Sequence, residues 1–191
     1  WAFPGGSQQG LSRRPFLWTS KDGARDLGTF SAKHSWDCAS VLLGDGRVLG
    51  DSAGHSFLWG TESGMQDIGF PPGTSGARPV SANDRGEVLC RAAKLVENSR
   101  GGVASLGAPF LWAEEGGFTA LHGPAGFDDV RPVGIAADGT VLLHATKPPD
   151  RTIRACYLLR DGKLQSLSAP PDWSSALYLG MNARGLLVGI A

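Results

Sequence analysis

The chain has 191 residues, enough for one domain with a sizeable core, and 41% of them are apolar, as in an ordinary globular protein. Its 18 basic and 18 acidic residues leave no net charge, which removes the simplest argument for a nucleic-acid or acidic-membrane partner. No stretch reaches the roughly 20 consecutive apolar residues of a membrane span, so we expect none in this chain.

Residues 1–12 precede the first repeated phrase and are interpreted as a leader. Because the chain begins with Trp1 and not Met, we expect processing or trimming at this end, with any targeting segment removed. Beyond the leader, 28 glycines and 12 prolines stand mostly between short apolar runs, a pattern that indicates many turns.

One apolar phrase recurs four times after the leader. It occupies residues 16–18, 57–59, 110–112 and 157–159, as Phe-Leu-Trp in three copies and Tyr-Leu-Leu in the last. A second apolar anchor follows each copy at nearly constant spacing, at Leu27, Ile68, Leu121 and Leu167. Short apolar runs bounded by turn residues predict two strands per repeat, here called A and B.

A third phrase completes each repeat and predicts a hairpin of two further strands, C and D. Its copies read VLLGDGRVLG, SANDRGEVLC, GIAADGTVLL and GMNARGLLVG, at residues 41–50, 81–90, 134–143 and 180–189. Asn and Asp form local turns and Gly adopts a positive φ, so we interpret these recurring polar residues as turn formers.

These phrases divide residues 13–191 into four repeats, at about 13–52, 53–92, 106–145 and 155–191, with insertions at 91–108 and 145–155. No segment has the apolar spacing of a long helix. Residues 90–102 could hold one or two helical turns inside the first insertion.

Four short strands repeated about every 40 to 50 residues are typical of a β-propeller. We therefore predict an all-β fold of four four-stranded antiparallel blades, with Trp18, Trp59 and Trp112 in equivalent sites. The blade in space could be offset from the repeat in sequence, so that the first and last strands close one sheet. The alternative is that the repeats form part of a larger propeller or β-repeat array.

The second repeat resembles the HAF repeat of predicted bacterial extracellular proteins. The resemblance rests on HSFLW at 55–59, GMQDIG at 64–69 and SANDRGEVL at 81–89, and it extends over about residues 15–191. Only this repeat has the histidine; Arg14, Ala108 and Ala155 stand at its position in the others. The resemblance implies a secreted or surface β-propeller-like module and implies no particular activity.

The sequence has no recognisable motif for catalysis, phosphate binding or metal binding, so we predict no enzyme activity, cofactor or metal. Cys38, Cys90 and Cys156 form neither a disulfide framework nor a Cys-x-x-Cys metal pattern. We interpret them as mainly buried apolar residues, with one bridge and a free thiol as the alternative.

The B–C loops place aromatic rings beside carboxylates, a combination that suits a sugar with one apolar face and several hydroxyl groups. The alternative is that each ring covers the end of a blade and each carboxylate caps a turn. The candidate ligand residues are Trp36, Asp37, Phe127, Asp128, Asp129, Asp172 and Trp173.

The two insertions carry basic residues that could form a docking surface for a partner protein, because irregular insertions on rigid repeats are common contact sites. Solvated loops are the simpler interpretation. The candidate docking residues are Arg91, Lys94, Arg100, Lys147, Arg151 and Arg154.

Three functions follow from these patterns. The first is a non-enzymatic binding or assembly module that contacts other proteins in a surface, secreted or multi-subunit setting. The second is a lectin-like propeller that binds a glycan through the B–C loops. The third, a glycosidase or lyase, requires carboxylates clustered on the innermost strand, which the sequence does not reveal.

Overall fold

The chain is all-β, as predicted. The computed structural model describes residues 13–31, 37–74, 76–97, 103–127, 129–147 and 154–190, so the predicted leader at 1–12 lies outside the described residues.

Strands A are β1 (Phe16–Thr19), β5 (His55–Gly60), β9 (Val103–Ala113) and β13 (Arg154–Arg160). Strands B are β2 (Gly23–Asp26), β6 (Gly64–Gly69), β10 (Gly117–Ala120) and β14 (Lys163–Leu167). Strands C are β3 (Cys38–Leu42), β7 (Ala77–Ala82), β11 (Asp129–Ile135) and β15 (Leu177–Met181). Strands D are β4 (Val48–Ser52), β8 (Val88–Glu97), β12 (Val141–Thr146) and β16 (Leu187–Ile190).

The described strands form three complete antiparallel sheets and two half-sheets. The first complete sheet has the order β3-β4-β5-β6, the second β7-β8-β9-β10 and the third β11-β12-β13-β14. The first half-sheet is β1-β2, and the last half-sheet is β15-β16. Each complete sheet therefore combines strands C and D of one repeat with strands A and B of the next.

The structure corrects the prediction of a closed ring of four blades, because the described sheets do not close into a ring. Successive C strands contact one another, β3 with β7, β7 with β11 and β11 with β15, so the sheets stand in a row. Among the described strands, no extensive contact brings β15 back to β3, and the half-sheets do not pair with each other.

Strand D meets strand A in the same register in every complete sheet. Val48 lies opposite Trp59, Val88 opposite Trp112 and Val141 opposite Leu159. Adjacent residues of a strand face opposite sides of the sheet. Val48 thus packs toward the first half-sheet, whereas Leu49 packs toward the second complete sheet.

The three tryptophans predicted to be equivalent differ in burial. Trp59 and Trp112 are 3% and 8% exposed, but Trp18 is 63% exposed. Trp18 belongs to β1, beside which the described strands place no strand D and in front of which they place no sheet. The repeat position is the same, and the missing neighbours account for the difference.

The C–D hairpins have the turns that the sequence predicts. Asn83 Oδ1 accepts hydrogen bonds from the Arg85 and Glu87 amides, and Gly86 has a φ of 76°. In the first repeat, Asp45 Oδ1 accepts from the Arg47 amide at 3.0 Å. The recurring Asn and Asp side chains are therefore engaged within their own turns.

Residues 90–97 are strand rather than helix, which corrects the expectation of helical turns in this insertion. β8 continues to Glu97 and pairs with β9 as far as Val103, so the first insertion lengthens a hairpin. Residues 98–102 lie outside the described part of the chain.

Candidate functional site

The B–C loops and the D–A connections share one end of the sheets, here called the loop end, because strands C, D, A and B alternate in direction. Both insertions are D–A connections. The predicted ligand residues and the predicted docking residues therefore belong to the same end of the molecule.

A Pro-x-Gly turn, or its Asp-containing equivalent, shapes three of the B–C loops. The backbone amides of Thr74, Phe127 and Trp173 each donate to the carbonyl three residues earlier, at 3.2, 3.4 and 3.2 Å. The third turn residue has a positive φ of 74° at Gly73, 80° at Gly126 and 70° at Asp172. Asp172 thus takes the left-handed position that glycine takes in the other two turns.

Two of the candidate aromatic residues are described, Phe127 and Trp173. Of these, Trp173 is exposed, at 56%. It borders an open groove of about 430 Å³. The lining residues are Asp172, Trp173, Ser174, Ser175, Gly189 and Ile190. An indole face beside a carboxylate and two hydroxyl groups is chemically suited to a polyhydroxylated ligand.

Phe127 occupies the same turn position as Trp173 but is half-buried. Its ring meets Tyr157 edge to face, with 6.0 Å between centroids, and packs against the core of the third sheet. Lys147 Nζ lies 5.8 Å from the centre of the Phe127 ring. A predicted ligand residue and a predicted docking residue are thus in contact.

Two candidate carboxylates are buried and used within the fold. Asp37 is 3% exposed and accepts a hydrogen bond from the Ala53 amide at 3.1 Å. Asp129 is 2% exposed and accepts from the Gly107 amide at 2.8 Å and from Arg131 at 2.7 Å. Trp36 and Asp128 lie outside the described residues.

The candidate docking residues are only partly described. Arg91 is exposed on β8 and lies opposite Arg78 of β7. Lys94 lies in β8, and Arg154 begins β13. Arg100 and Arg151 lie outside the described residues.

The sequence analysis missed a repeated side-chain contact at the loop end, between a basic residue and an aspartate. His55 Nδ1 lies 2.9 Å from Asp67 Oδ2, and Arg14 at the same repeat position lies 3.1 Å from Asp26 Oδ2. The third repeat has Ala108 and Ala120 at these two positions, so both partners are lost together. This paired gain and loss was visible in the aligned repeats, and it explains why the second repeat combines a histidine with a later aspartate.

A buried acidic residue on β4 was also missed. Asp51 is 6% exposed and accepts a hydrogen bond from Arg78 at 3.3 Å. Burial raises the pKa of Asp51 above its usual 3.8, and the charge of Asp37 raises it further, although Arg78 opposes the shift. The proximity of Asp37 and Asp51 could not be read from the sequence, because it depends on the pairing of strands C and D.

All three cysteines are free, and they differ in access. Cys38 is exposed, whereas Cys90 and Cys156 are buried. Burial raises the pKa of the Cys90 thiol to about 12. A thiol that is buried and protonated is a poor nucleophile.

We therefore expect one fast-reacting thiol per chain. A thiol-reactive dye at pH 8 should label Cys38 quickly, and Cys90 and Cys156 only after unfolding. Cys38→Ser should abolish the fast phase. Rapid labelling of two or three thiols in the folded protein would contradict the described burial.

Within the described part of the chain, exposed apolar residues gather along the two half-sheets. Phe16 and Trp18 of β1 are exposed, as are Val188 and Ile190 of β16. Leu179 of β15 is also exposed. We call the unpaired sides of β1 and β16 the open edges. Their backbone groups and apolar side chains together offer a ready-made strand-docking surface.

Comparisons with known families, curated proteins and solved structures found no match for this chain. Within the described residues, no helix is long and apolar enough to cross a membrane. The same residues contain no group of three or more His, Cys, Asp and Glu side chains placed to hold a metal ion.

Proposed function

We propose that the chain is a non-enzymatic assembly module whose sheets act as β-propeller blades and whose open edges dock another protein by strand pairing. The observation that carries the proposal is the exposure of apolar residues along β1 and β16, in contrast to the buried equivalents on the inner strands. A secreted or surface setting, which the HAF resemblance implies, belongs to the same proposal.

The docking chemistry follows from the complete sheets. Leu49 of β4 pairs with strand A of its own sheet and packs against the next sheet, and it is 0% exposed, whereas Val188 at the same position of β16 is 66% exposed. A partner strand would satisfy the backbone groups of the edge and cover this apolar side chain. Strand addition of this type obtains affinity from main-chain hydrogen bonds and specificity from alternate side chains.

A synthetic A–B hairpin tests the proposal. We expect a fluorescently labelled peptide of residues 13–29 to bind the dilute 191-residue chain, with a rise in fluorescence anisotropy. Val188→Lys should weaken binding at least about tenfold, because a lysine on the edge disfavours pairing and about 1.4 kcal/mol corresponds to a factor of ten.

Ser63→Lys is the matched control, because Ser63 is exposed in the A–B turn of the first complete sheet and belongs to neither open edge. This variant should bind the peptide like the original chain. If the peptide fails to bind, or if both lysine variants behave alike, edge docking is not the function.

Glycan binding is the second candidate, and the exposed Trp173 beside Asp172 supports it. In a Trp18→Phe background, an oligosaccharide that stacks on Trp173 should reduce fluorescence quenching by acrylamide. Trp173→Ala should remove this protection. A panel of oligosaccharides that leaves the quenching unchanged would exclude this candidate.

A further inference from the structure

We infer that the partner at the open edges is a second copy of this chain, whose β1 pairs with β16 and completes a four-stranded sheet across two molecules. This inference rests on the proposed function, because it needs the edges to dock a protein. It adds the identity of the partner and the register of the contact.

The two half-sheets are complementary parts of one complete sheet. Every complete sheet has the order C-D-A-B, the last half-sheet supplies C and D, and the first half-sheet supplies A and B. The shared D–A register then places Leu187 opposite Trp18, as Val48 lies opposite Trp59. Val188 would lie opposite Leu17, and Gly189 opposite Phe16.

The glycine at 189 agrees with this register. In the first complete sheet, Gly50 lies opposite Phe57, and a side chain at Gly50 would come within 2.6 Å of the Phe57 ring. A Cβ at Gly50 would also meet the Cys38 carbonyl, and a Cβ at Gly189 would meet the Leu177 carbonyl, so each glycine also lets its own C–D hairpin pack closely. Gly189 holds the position of Gly50 in the last repeat, opposite the exposed Phe16.

The directions of the exposed side chains agree as well. Leu17 packs toward the first complete sheet, so its neighbour Trp18 faces the opposite side, where none of the described sheets lies. Val188 corresponds to Leu49, which faces the following sheet. In the proposed contact, Trp18 of one copy covers the third sheet of the other, and Val188 covers the first sheet of its partner.

A second copy suits this geometry better than closure within one chain. The first half-sheet packs on the first complete sheet and the last half-sheet contacts the third, with the second complete sheet between them. The two open edges therefore lie at opposite ends of the row. A head-to-tail contact of such ends gives a ring or a filament, and two copies would supply eight blades, within the usual range of propellers.

Site-directed disulfide formation tests the contact. Trp18→Cys and Leu187→Cys are made in separate chains, each in a Cys38→Ser background, and the two proteins are mixed under mild oxidation. Directly opposite residues of antiparallel strands have the Cα separation that a disulfide requires. We expect a cross-linked species of twice the chain mass, and sedimentation that shows concentration-dependent association of the unmodified chain.

The matched control replaces Leu187→Cys by Val188→Cys, whose side chain faces the other side of the sheet and should not cross-link. Circular dichroism checks that each variant retains its strands. A chain with both Trp18→Cys and Leu187→Cys that links only to itself would overturn the inference in favour of ring closure within one chain. Absence of any link would also overturn it. Binding of the hairpin peptide decides separately whether the proposed docking function survives.

Discussion

Trp59→Ala is expected to lower the free energy of unfolding by about 3–5 kcal/mol, the usual loss when a buried large aromatic residue is reduced to alanine. Trp59 is 3% exposed and packs with Leu27, Val48 and Phe57 between the first half-sheet and the first complete sheet. The Arg25 guanidinium lies 4.9 Å from the centre of the indole ring and adds a cation–π contact. Urea unfolding with linear extrapolation measures the loss, provided that the m-value is unchanged.

Trp18→Ala is the matched control, because Trp18 holds the same repeat position but is 63% exposed. In dilute protein it should change the free energy of unfolding by less than about 1 kcal/mol. An effect as large as that of Trp59→Ala at this dilution would indicate that β1 is covered within the single chain. A loss below about 1 kcal/mol for Trp59→Ala would contradict the described packing of this tryptophan.

The strands were predictable from the sequence because each has a local signal. Apolar runs bounded by Asn, Asp and Gly predict strands A to D. Gly86, for example, lies in a turn that requires a positive φ. The grouping of strands into sheets carried a weaker signal. Ala53 and Gly54 have φ of 52° and 86°, a tight two-residue turn that joins strand D to the next strand A. Because the B–C loops are longer, the compact unit is C-D-A-B rather than A-B-C-D.

Closure and exposure could not be predicted, because they depend on neighbours that the repeat does not specify. Phe127 and Trp173 occupy the same turn position, but Phe127 has Tyr157 of a complete sheet beside it and Trp173 adjoins a half-sheet. Asp129 resembled a ligand residue in its polar loop. Its partner Gly107 becomes apparent only once β9 and β11 are placed together.

Asp129→Ala is expected to destabilise the protein by roughly 2–4 kcal/mol at neutral pH, because it leaves a buried amide and a guanidinium without their acceptor. The backbone is closely fitted here, since a side chain on Gly107 would lie 2.8 Å from Asp129 Oδ1. Asp129→Asn keeps an acceptor for the Gly107 amide and should lose less. Equal losses for the two variants, measured by urea unfolding, would show that the hydrogen bond to Gly107 contributes nothing.

The pH dependence of stability should separate Asp129 from Asp51, because their pKa values move in opposite directions. Burial raises the pKa of Asp129, but the hydrogen bonds from Arg131 and Gly107 and the charges of Arg131 and Arg91 outweigh it and hold the pKa below 3.8. The unfolded chain then binds the proton more readily, so the stability that Asp129 contributes is present above pH 3.8 and is lost as the pH falls through the folded pKa. The raised pKa of Asp51 has the opposite sign, and its contribution is lost as the pH rises from 3.8 through the folded value.

Asp129→Asn should therefore reduce the loss of stability below pH 3.8, and Asp51→Asn should reduce the loss between pH 3.8 and neutrality. Urea unfolding midpoints across this range, at constant ionic strength, measure both slopes. The two variants serve as controls for each other, because each replaces one buried carboxylate by an amide of the same shape. If both variants changed the slope in the same pH window, the opposite directions of the two pKa shifts would be contradicted.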